Sequence, residues 1–509
     1  MRLFIRYGKS LIRYLVIVLL LMVQIICIFG LAYFLRHYAI YVYLAIEILS
    51  LLILVPLVAD ERNAAYKLYW MSVILTLPIV GHIMFHLWGK DKVNKSEHAR
   101  IQRTVNRANI QQDFQKPFVV EMHRDNPEKW KISNYLYRQG YPLYNHTKMK
   151  YFPLGEFAFE DMIAEMKKAS RYIFMSFFTI ADGQIFDAIR DIVQEKVREG
   201  IEVRVLYDDA GSVFQIADAT VEKLKAVGVR ILRFNPVERS YHRLFLNYRT
   251  HQKIVVIDGE TGYTGGINAS DRYANINSPY GHWKDCAVKL YGSAVWSMLL
   301  TFLSMWSASE NVEEDYQKYK SKREFTDGGY CQPFADGPSN NPENEGLDIF
   351  RHMIQEANRE VFITTPYLII DDTMRDTLCL AAKSGIDVRI ITPGIPDKKR
   401  AKLLTEWHYG PLLKSGVRIF EYEPGFMHAK IIMNEFSAVV GTINMDFRSF
   451  FLHYENAVWT PQKELVDELR ADFMETLKSC REMNYVDWVR RPLKIKFQQY
   501  ILQVFRCQF

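Results

Sequence analysis

The sequence predicts an α/β protein that is anchored in a membrane and whose globular part arose by duplication. Three observations lead to this prediction: apolar runs lie near the N-terminus, strands alternate with helices from about residue 150 onwards, and one motif occurs twice. Strands that alternate with helices favour a largely parallel sheet with helices on its faces. The chain of 509 residues has room for more than one such unit.

The apolar runs occupy residues 14–35, 39–59 and 68–88. Each is about 20 residues long, which is enough to cross the hydrocarbon core of a bilayer. Glu47 interrupts the second run, which could therefore be re-entrant or interfacial, so residues 1–95 predict two or three transmembrane helices. Lys and Arg residues flank the first and third runs in nearly equal number, and we expect a multi-pass protein of the cell membrane whose globular part faces the cytoplasm.

The elements after the membrane segment follow from hydrophobic periodicity and from the positions of Gly and Pro. Residues 96–150 predict a linker that begins with a juxtamembrane helix and continues as loop. The first half, residues 151–320, predicts helix 157–170, strand 172–178, helix 185–199, strand 203–207, helix 221–227 and strand 229–234. The second half, residues 340–509, predicts helix 346–357, strand 361–366, helix 372–383, strand 387–391, helix 398–414 and strand 417–422. Residues 320–345, rich in Gly, Pro and Asn, predict a loop between the halves.

The motif that occurs twice reads THQKIVVIDGETGYTGGIN from Thr250 and MHAKIIMNEFSAVVGTIN from Met427. Both copies contain His-x-Lys, a short apolar run, an acidic residue, a Gly-containing turn and an Asn. These members are His251, Lys253, Asp258 and Asn268 in the first copy, and His428, Lys430, Glu435 and Asn444 in the second. Three further blocks recur in the same order about 185 to 190 residues later, which indicates duplication rather than coincidence.

The residue types of the motif suit the chemistry of a phosphodiester. If His-x-Lys begins a strand, alternation places His251 and Lys253 on one face. An imidazole can attack phosphorus, and a second imidazole can protonate the leaving oxygen and deprotonate the incoming hydroxyl. Lysine ammoniums and asparagine amides can neutralise the charge that grows in the transition state, so we expect neither a metal nor another cofactor.

Ordinary explanations exist for one copy of the motif alone. A His beside a Lys is usually a solvated or core-capping pair, Gly is the commonest turn residue, and Asn often caps a helix. Generic turns have no reason to return with His, Lys and Asn at matching offsets, so the duplication favours a functional site. The six cysteines show no CxxC spacing, and Cys27 lies in an apolar run, which argues against a zinc site or a disulfide framework.

The doubled motif resembles that of the phospholipase D superfamily, HxKxxxxD followed by a Gly turn and Asn, which occurs twice per active unit. Within this superfamily the chain is similar to the bacterial cardiolipin synthases. The flanking blocks that carry this resemblance are YGHWKD from Tyr280, TTPYLIIDD from Thr364, FMHAK from Phe426 and NMDFRSF from Asn444. The resemblance implies two α/β halves that share one active site.

The resemblance also implies a reaction and residue roles. Two phosphatidylglycerols give cardiolipin and glycerol through a phosphatidyl-histidine, without a cofactor or a nucleic-acid partner. His251 is the expected nucleophile and His428 the acid/base, although the swapped assignment stays open. Asp285 would orient His428 and Glu455 would orient His251. The remaining expected site residues are Lys253, Asp258, Lys430 and Glu435 in the catalytic set, with Asn268 and Asn444 binding the substrate phosphate.

The chain departs from the family pattern at three positions, where Glu435 replaces Asp, Thr442 replaces Ser or Gly, and Ser176 occupies a common Glu position. Three other functions stay open beside transfer. A membrane-bound phospholipase D would hydrolyse the intermediate with water. A nuclease is disfavoured by the membrane runs and the modest net charge of +6. A non-catalytic scaffold is disfavoured by the intact second His-x-Lys.

Overall fold

The computed structural model describes residues 18–19, 21–26, 29–30, 33, 38–77, 79–89, 95–237, 247–339 and 344–509. These residues form two compact units. The smaller unit comprises the described residues within Met1–Lys92, Val237–Leu246 and Tyr500–Phe509, and the larger unit comprises those within Val93–Pro236 and Asn247–Gln499. Both copies of the motif lie in the larger unit.

The smaller unit contains a single helix, among the described residues, that is long and apolar enough to cross a membrane, Ile40–Ala59. It belongs to helix Ala39–Ala59 and is followed by helices Ala64–Thr76 and Val80–Met84 and the π-helix Phe85–Gly89. The third apolar run, 68–88, is thus divided among separate helices, and its crossing of the membrane remains a prediction. The sequence has Pro78 between the second and third helices, and proline lacks the N–H that would continue a helix. Most of the first run, 14–35, lies outside the described residues.

The larger unit is built on β-strands that we number along the chain. They are β1 Tyr144–Phe152, β2 Tyr172–Phe177, β3 Glu202–Asp208, β4 Arg230–Phe234, β5 Arg249–Thr250, β6 Ile254–Ile257, β7 Thr261–Gly265, β8 His282–Lys284, β9 Ala287–Gly292, β10 Gly329–Asp336, β11 Glu360–Thr364, β12 Leu368–Ile369, β13 Asp387–Pro393, β14 Arg418–Tyr422, β15 Gly425–Met427, β16 Ile431–Asn434, β17 Ala438–Gly441, β18 Met445–Asp446, β19 His453–Thr460 and β20 Cys480–Glu482.

The order of the strands repeats between the halves. The first half runs β4-β3-β2-β6-β7-β9-β1, and the second runs β14-β13-β11-β16-β17-β19-β10, with β20 beside β14. Strands β1 and β10 pair antiparallel, with Tyr144 opposite Cys331 and Thr147 opposite Gly329. The two sheets therefore meet edge to edge and form one continuous sheet.

Helices cover this sheet. Those that lie wholly in the larger unit are Lys95–Ile110, Lys116–Asp125, Pro127–Arg138, Gly155–Lys167, Gln184–Arg198, Asp209–Ser212, Asp218–Ala226, Val295–Glu310, Glu345–Gln355, Asp372–Lys383, Lys399–Lys414, Phe447–Phe451, Lys463–Leu477 and Tyr485–Arg490, while Leu493–Val504 has residues in both units. Helix Val295–Glu310 is apolar on nearly all sides and is therefore buried, and Phe302 within it stacks on Phe174 of β2 with ring centroids 5.3 Å apart.

The helices and strands predicted between residues 157 and 234 and between 346 and 422 are confirmed, with ends displaced by about three residues at most. Three predictions are wrong. The sheet is parallel within β2-β3-β4 and β11-β13-β14 and between β5 and β19, and its other described strand pairs are antiparallel. The predicted loop 320–345 contains β10, because pairing with β1 and β19 outweighs its turn-like composition. The linker 96–150 contains three helices and the start of β1.

Candidate active site

Each His-x-Lys lies in a three-residue break between two strands. The prediction that the motif begins a strand is therefore wrong. His251 and Lys253 lie between β5 and β6, and His428 and Lys430 lie between β15 and β16. The backbone of each break is held by its own lysine. Lys253 Nζ donates to the carbonyl oxygen of His251 at 2.7 Å, and Lys430 Nζ donates to the carbonyl oxygen of His428.

The strand that precedes each break pairs with a strand of the opposite half. Strand β5 runs parallel to β19, so that Thr250 lies opposite Tyr454, and the next residues along the two strands are His251 and Glu455. Strand β15 runs parallel to β8, so that Met427 lies opposite Lys284, and the next residues are His428 and Asp285. The same local register thus places each imidazole beside a carboxylate of the other half.

The resulting contacts are hydrogen bonds between buried side chains. His251 Nδ1 lies 3.0 and 2.9 Å from the two carboxylate oxygens of Glu455, and His428 Nδ1 lies 2.6 Å from Asp285 Oδ2. Both carboxylates are fully buried, and the histidines are 7% and 8% exposed. A carboxylate in this position selects the tautomer with the proton on Nδ1 and leaves the Nε2 lone pair available.

The electrostatics keep both imidazoles neutral near pH 7. Burial, followed by the charges of Lys253 and Lys430, lowers the pKa of His251 well below its usual range. Burial and Lys430 lower the pKa of His428 to about 3, against the opposing effect of Asp285. Charged groups of the second half therefore act on the histidine of the first, and a neutral Nε2 is what nucleophilic attack or proton acceptance requires.

Both motif lysines are buried cations. Burial lowers the pKa of Lys253 to about 7 and that of Lys430 to about 8, even though Glu455 and Asp285 oppose the effect. A bound phosphodiester would favour the charged form of each lysine, because an opposite charge at close range stabilises an ammonium. The site thus has a positive potential that an anionic ligand strengthens.

The two motif asparagines are already held by protein groups. Asn268 accepts a hydrogen bond from Thr179 N at 3.0 Å and donates to the hydroxyl of Tyr273 at 2.7 Å. Asn444 Nδ2 donates to Asp446 Oδ2 at 3.1 Å, while its buried Oδ1 has no hydrogen-bond partner in the described residues. Their phosphate-binding role remains a prediction.

The acidic residues of the motif contact backbone groups before neighbouring strands, and their place in the catalytic set remains a prediction. Strands β6 and β16 separate Asp258 and Glu435 from the preceding histidines. Asp258 accepts hydrogen bonds at 2.8 to 2.9 Å from the three backbone N–H groups of residues 170–172, and Glu435 Oε1 accepts one from Asn358 N at 2.6 Å. Asp258 braces the turn before β2 and Glu435 the turn before β11, which explains why Glu substitutes for Asp.

Other residues of the site were missed or undervalued by sequence reasoning. Asp208 accepts a hydrogen bond from Thr250 N at 3.0 Å and so fixes the backbone immediately before His251. Thr442 Oγ1 donates to Glu455 Oε2 at 2.5 Å, which gives this departure from the family pattern a structural purpose. A Cβ on Gly266 would lie 1.9 Å from Asp285 Oδ1, so the turn glycine allows the carboxylate to approach. The signal for Asp208 is an acidic residue at the carboxyl end of a parallel strand.

Two His-x-Lys breaks in duplicated halves, each with its imidazole on a carboxylate of the other half, define a phospholipase D-like site. The family model described as cardiolipin synthase, PLD-like domain, matches residues 162–282 and 350–477. Among solved structures, the chain is similar to the phosphatidylserine synthase of Haemophilus influenzae, with a TM-score of 0.56 and 15% identity over 73% of this chain and 96% of that chain. At this identity the likeness shows the fold.

Sequence relatives narrow the class. An uncharacterized protein of Streptococcus mutans is 36% identical over 84% of this chain and 93% of its own length. A cardiolipin synthase of Geobacillus kaustophilus is 30% identical over 87% of this chain and 88% of its own length. A probable cardiolipin synthase of Bacillus subtilis is 30% identical over 88% of this chain and 90% of its own length. The chain belongs to the cardiolipin synthase family.

Proposed function

We propose that the protein is a phosphatidyltransferase that makes cardiolipin from two molecules of phosphatidylglycerol and releases glycerol. The observation that carries the proposal is the pair of buried histidine–carboxylate dyads, each formed across the two halves. One imidazole can form a covalent bond to phosphorus while the other transfers the protons. The family to which the chain belongs supports the choice of lipid substrates.

In the first half-reaction, His251 Nε2 attacks the phosphorus of one phosphatidylglycerol. The bond between phosphorus and the headgroup glycerol oxygen breaks, and His428 donates a proton to that oxygen, so that glycerol leaves and phosphatidyl-His251 remains. Protonation of His428 is favoured once the anionic phosphodiester is bound, and Asp285 stabilises the imidazolium through its contact with Nδ1.

In the second half-reaction, neutral His428 accepts the proton of a headgroup hydroxyl of another phosphatidylglycerol. The resulting nucleophile attacks phosphorus, the bond to His251 breaks, and cardiolipin leaves. Lys253 and Lys430, with Asn268 and Asn444, would stabilise the negative charge on the equatorial oxygens. The same geometry also allows the reverse roles, with His428 as the nucleophile and His251 as the acid/base.

We also propose that the protein is a multi-pass protein of the cell membrane, with the larger unit on the cytoplasmic face. Helix Ile40–Ala59 supports membrane insertion by its length and composition. Protease protection of the larger unit in sealed right-side-out vesicles, and its digestion in inverted vesicles, would test the orientation. Digestion in the right-side-out vesicles would place the unit on the outer face.

The decisive experiment is incubation of the purified full-length protein with phosphatidylglycerol labelled in the phosphate, followed by separation of the lipid products. Labelled cardiolipin with an equal amount of glycerol supports transfer. Labelled phosphatidic acid without cardiolipin would replace transfer by hydrolysis, the alternative in which water resolves the intermediate. The double variant His251→Ala, His428→Ala is the control for contaminating activity.

A further inference from the structure

The orienting carboxylates each have a nitrogen-bearing side chain two residues earlier in the sequence. Trp283 precedes Asp285, and His453 precedes Glu455. Residues two apart on an extended chain face the same way, so both rings can reach the carboxylate that follows. Trp283 Nε1 donates to Asp285 Oδ2 at 3.3 Å, and His453 Nδ1 lies 3.7 Å from Glu455 Oε1.

The protonation of His453 follows from its other neighbour. Arg448 Nε donates to His453 Nε2 at 3.2 Å, so Nε2 carries the lone pair of the ring. Burial lowers the pKa of His453 to about 3, so the ring is neutral and its one proton is on Nδ1, the atom that faces Glu455. His453 is 8% exposed, and Nδ1 has no hydrogen-bond partner within 3.5 Å among the described residues.

Glu455 and two side chains beside it are also of the residue types that bind metal ions. His251, His453 and Glu455 each offer one ligand atom, and these atoms lie within 4.8 Å of one another. An imidazole nitrogen binds a metal ion through its lone pair. In His453 the nitrogen that faces Glu455 is Nδ1, and it carries the ring proton because Nε2 accepts the hydrogen bond from Arg448. His251 likewise uses Nδ1 to contact Glu455. The hydrogen-bond arrangement therefore describes these contacts better than a metal centre does.

We propose that His453 is a positioning residue whose Nδ1–H holds Glu455 in the orientation that His251 requires, as the indole N–H of Trp283 does for Asp285. His251 Nδ1 contacts both oxygens of Glu455, Thr442 donates to Oε2, and His453 faces Oε1, so each oxygen has a second neighbour besides His251. The 3.7 Å separation closes to a hydrogen bond with a small rotation of the ring, as catalytic contacts commonly tighten when substrate binds.

A matched pair of variants tests the inference, which rests on the proposed function for its assay. Asn and Leu have the same number of side-chain heavy atoms and the same branch at Cγ, and the amide nitrogen of Asn can occupy the place of His453 Nδ1, whereas Leu has no donor there. We expect His453→Leu to lower kcat for cardiolipin formation roughly tenfold with KM within about twofold, because the lost contact acts through His251. His453→Asn should retain most of the activity.

The equivalent variant of the other half is Trp283→Phe, which removes the indole N–H and keeps an aromatic ring. It should lower kcat about as much as His453→Leu, because both remove one donor to a buried carboxylate. Thermal unfolding of all three variants within a few degrees of the wild type would show that folding is preserved. If His453→Leu does not fold, Arg448→Met is the second variant. Without the Arg448 donor the ring proton of His453 can move from Nδ1 to Nε2, which leaves a lone pair on Nδ1 that can bind a metal. We therefore expect Arg448→Met to be inhibited by Zn²⁺ at concentrations that the wild type tolerates.

Each outcome decides something different. A wild-type protein that makes no cardiolipin refutes the proposed function. An active wild type with equal kcat for His453→Asn and His453→Leu overturns the positioning role, because the donor would then be irrelevant. Wild-type activity that is lost in EDTA and restored by Zn²⁺, with both His453 variants inactive, would make the three residues a metal site instead.

Discussion

The two histidine–carboxylate dyads share a backbone plan and differ in their immediate chemistry. Glu455 contacts His251 Nδ1 with both carboxylate oxygens, whereas Asp285 uses Oδ2 for His428 and Oδ1 for the backbone N–H of Cys286. Parallel pairing of two short strands across the halves is common to both dyads. Duplication has thus preserved the register that brings an imidazole to a carboxylate, and the neighbouring side chains have changed.

The cations around the dyads also differ. Lys430 Nζ lies 2.9 Å from His428 Nδ1, while Lys253 Nζ lies over the ring of Phe178, 5.7 Å from its centroid. An ammonium so close to an imidazole disfavours its protonated form, which makes imidazolium at His428 a stronger acid. The charges of Lys253 and Lys430 also lower the pKa of His251, so both imidazoles are affected by lysines, and the assignment of His251 as nucleophile and His428 as acid/base remains a prediction.

Removing each imidazole in turn is the strongest test of the difference between the two dyads. We expect His251→Ala and His428→Ala each to lower cardiolipin formation by about a thousandfold or more, because each histidine performs a chemical step. If the assignment is right, rapid quenching under neutral or alkaline conditions, which preserve the acid-labile phosphorus–nitrogen bond, will recover phosphatidyl-enzyme with His428→Ala and not with His251→Ala. The reverse pattern would exchange the roles, and near-normal turnover in either variant would exclude the paired mechanism.

The next largest effects are expected at the carboxylates. Glu455→Gln and Asp285→Asn keep the shape and remove the charge that selects the Nδ1–H tautomer, so we expect kcat to fall about a hundredfold in each. The measurement is steady-state kinetics of purified variants whose thermal unfolding matches the wild type. A much smaller loss for one variant would show that the two dyads do not contribute equally.

A pH profile tests the two lysines. Because the pKa of Lys253 is lowered to about 7 and that of Lys430 to about 8, kcat/KM should fall as pH rises through this range and the ammoniums lose their protons. Lys430→Arg should move this decline to higher pH, because a guanidinium stays charged. If kcat/KM of Lys430→Arg declines at the same pH as that of the wild type, deprotonation of Lys430 is not the cause of the decline.

The same shifts predict the pH dependence of stability. Between the lowered folded pKa and the ordinary value near 10.4, an unfolded lysine binds a proton that the folded one has released. The free energy of unfolding contributed by these lysines should therefore rise with pH from about 7 to about 10 and be smaller below that window. Chemical denaturation of the wild type and of Lys430→Met at pH 7 and 9 would measure it.

The smallest effects on chemistry are expected at the bracing carboxylates. Asp258→Ala removes an acceptor of three backbone N–H groups and should lower the free energy of unfolding by about 2 kcal/mol, with kcat per folded molecule changed less than about threefold. Glu435→Asp should be milder in both respects. A large loss of kcat at unchanged stability would place these residues in the catalytic set.

Much of the fold was predictable because its signals are local. The alternation of apolar strands with amphipathic helices predicted the parallel parts of both halves, and the helix Asp372–Lys383 has the bounds that its sequence predicted. Strand β10 was not predictable, because Gly329–Asp336 is rich in turn-forming neighbours and becomes a strand only by pairing with β1 and β19. The third apolar run is the opposite case, because Pro78 is a local signal in the sequence that a helix ends near it, and the helices end at Thr76 and begin at Val80.

The sequence by itself determined the duplication, the chemistry of the two His-x-Lys copies and the family, because these depend on residue identity and spacing. Only the tertiary structure decided which carboxylate reaches which imidazole, that Asp258 and Glu435 brace turns, and that Thr442 and His453 lie on Glu455. The reason is physical: His251 and Glu455 are 204 residues apart, and their contact exists only through strand pairing between the halves.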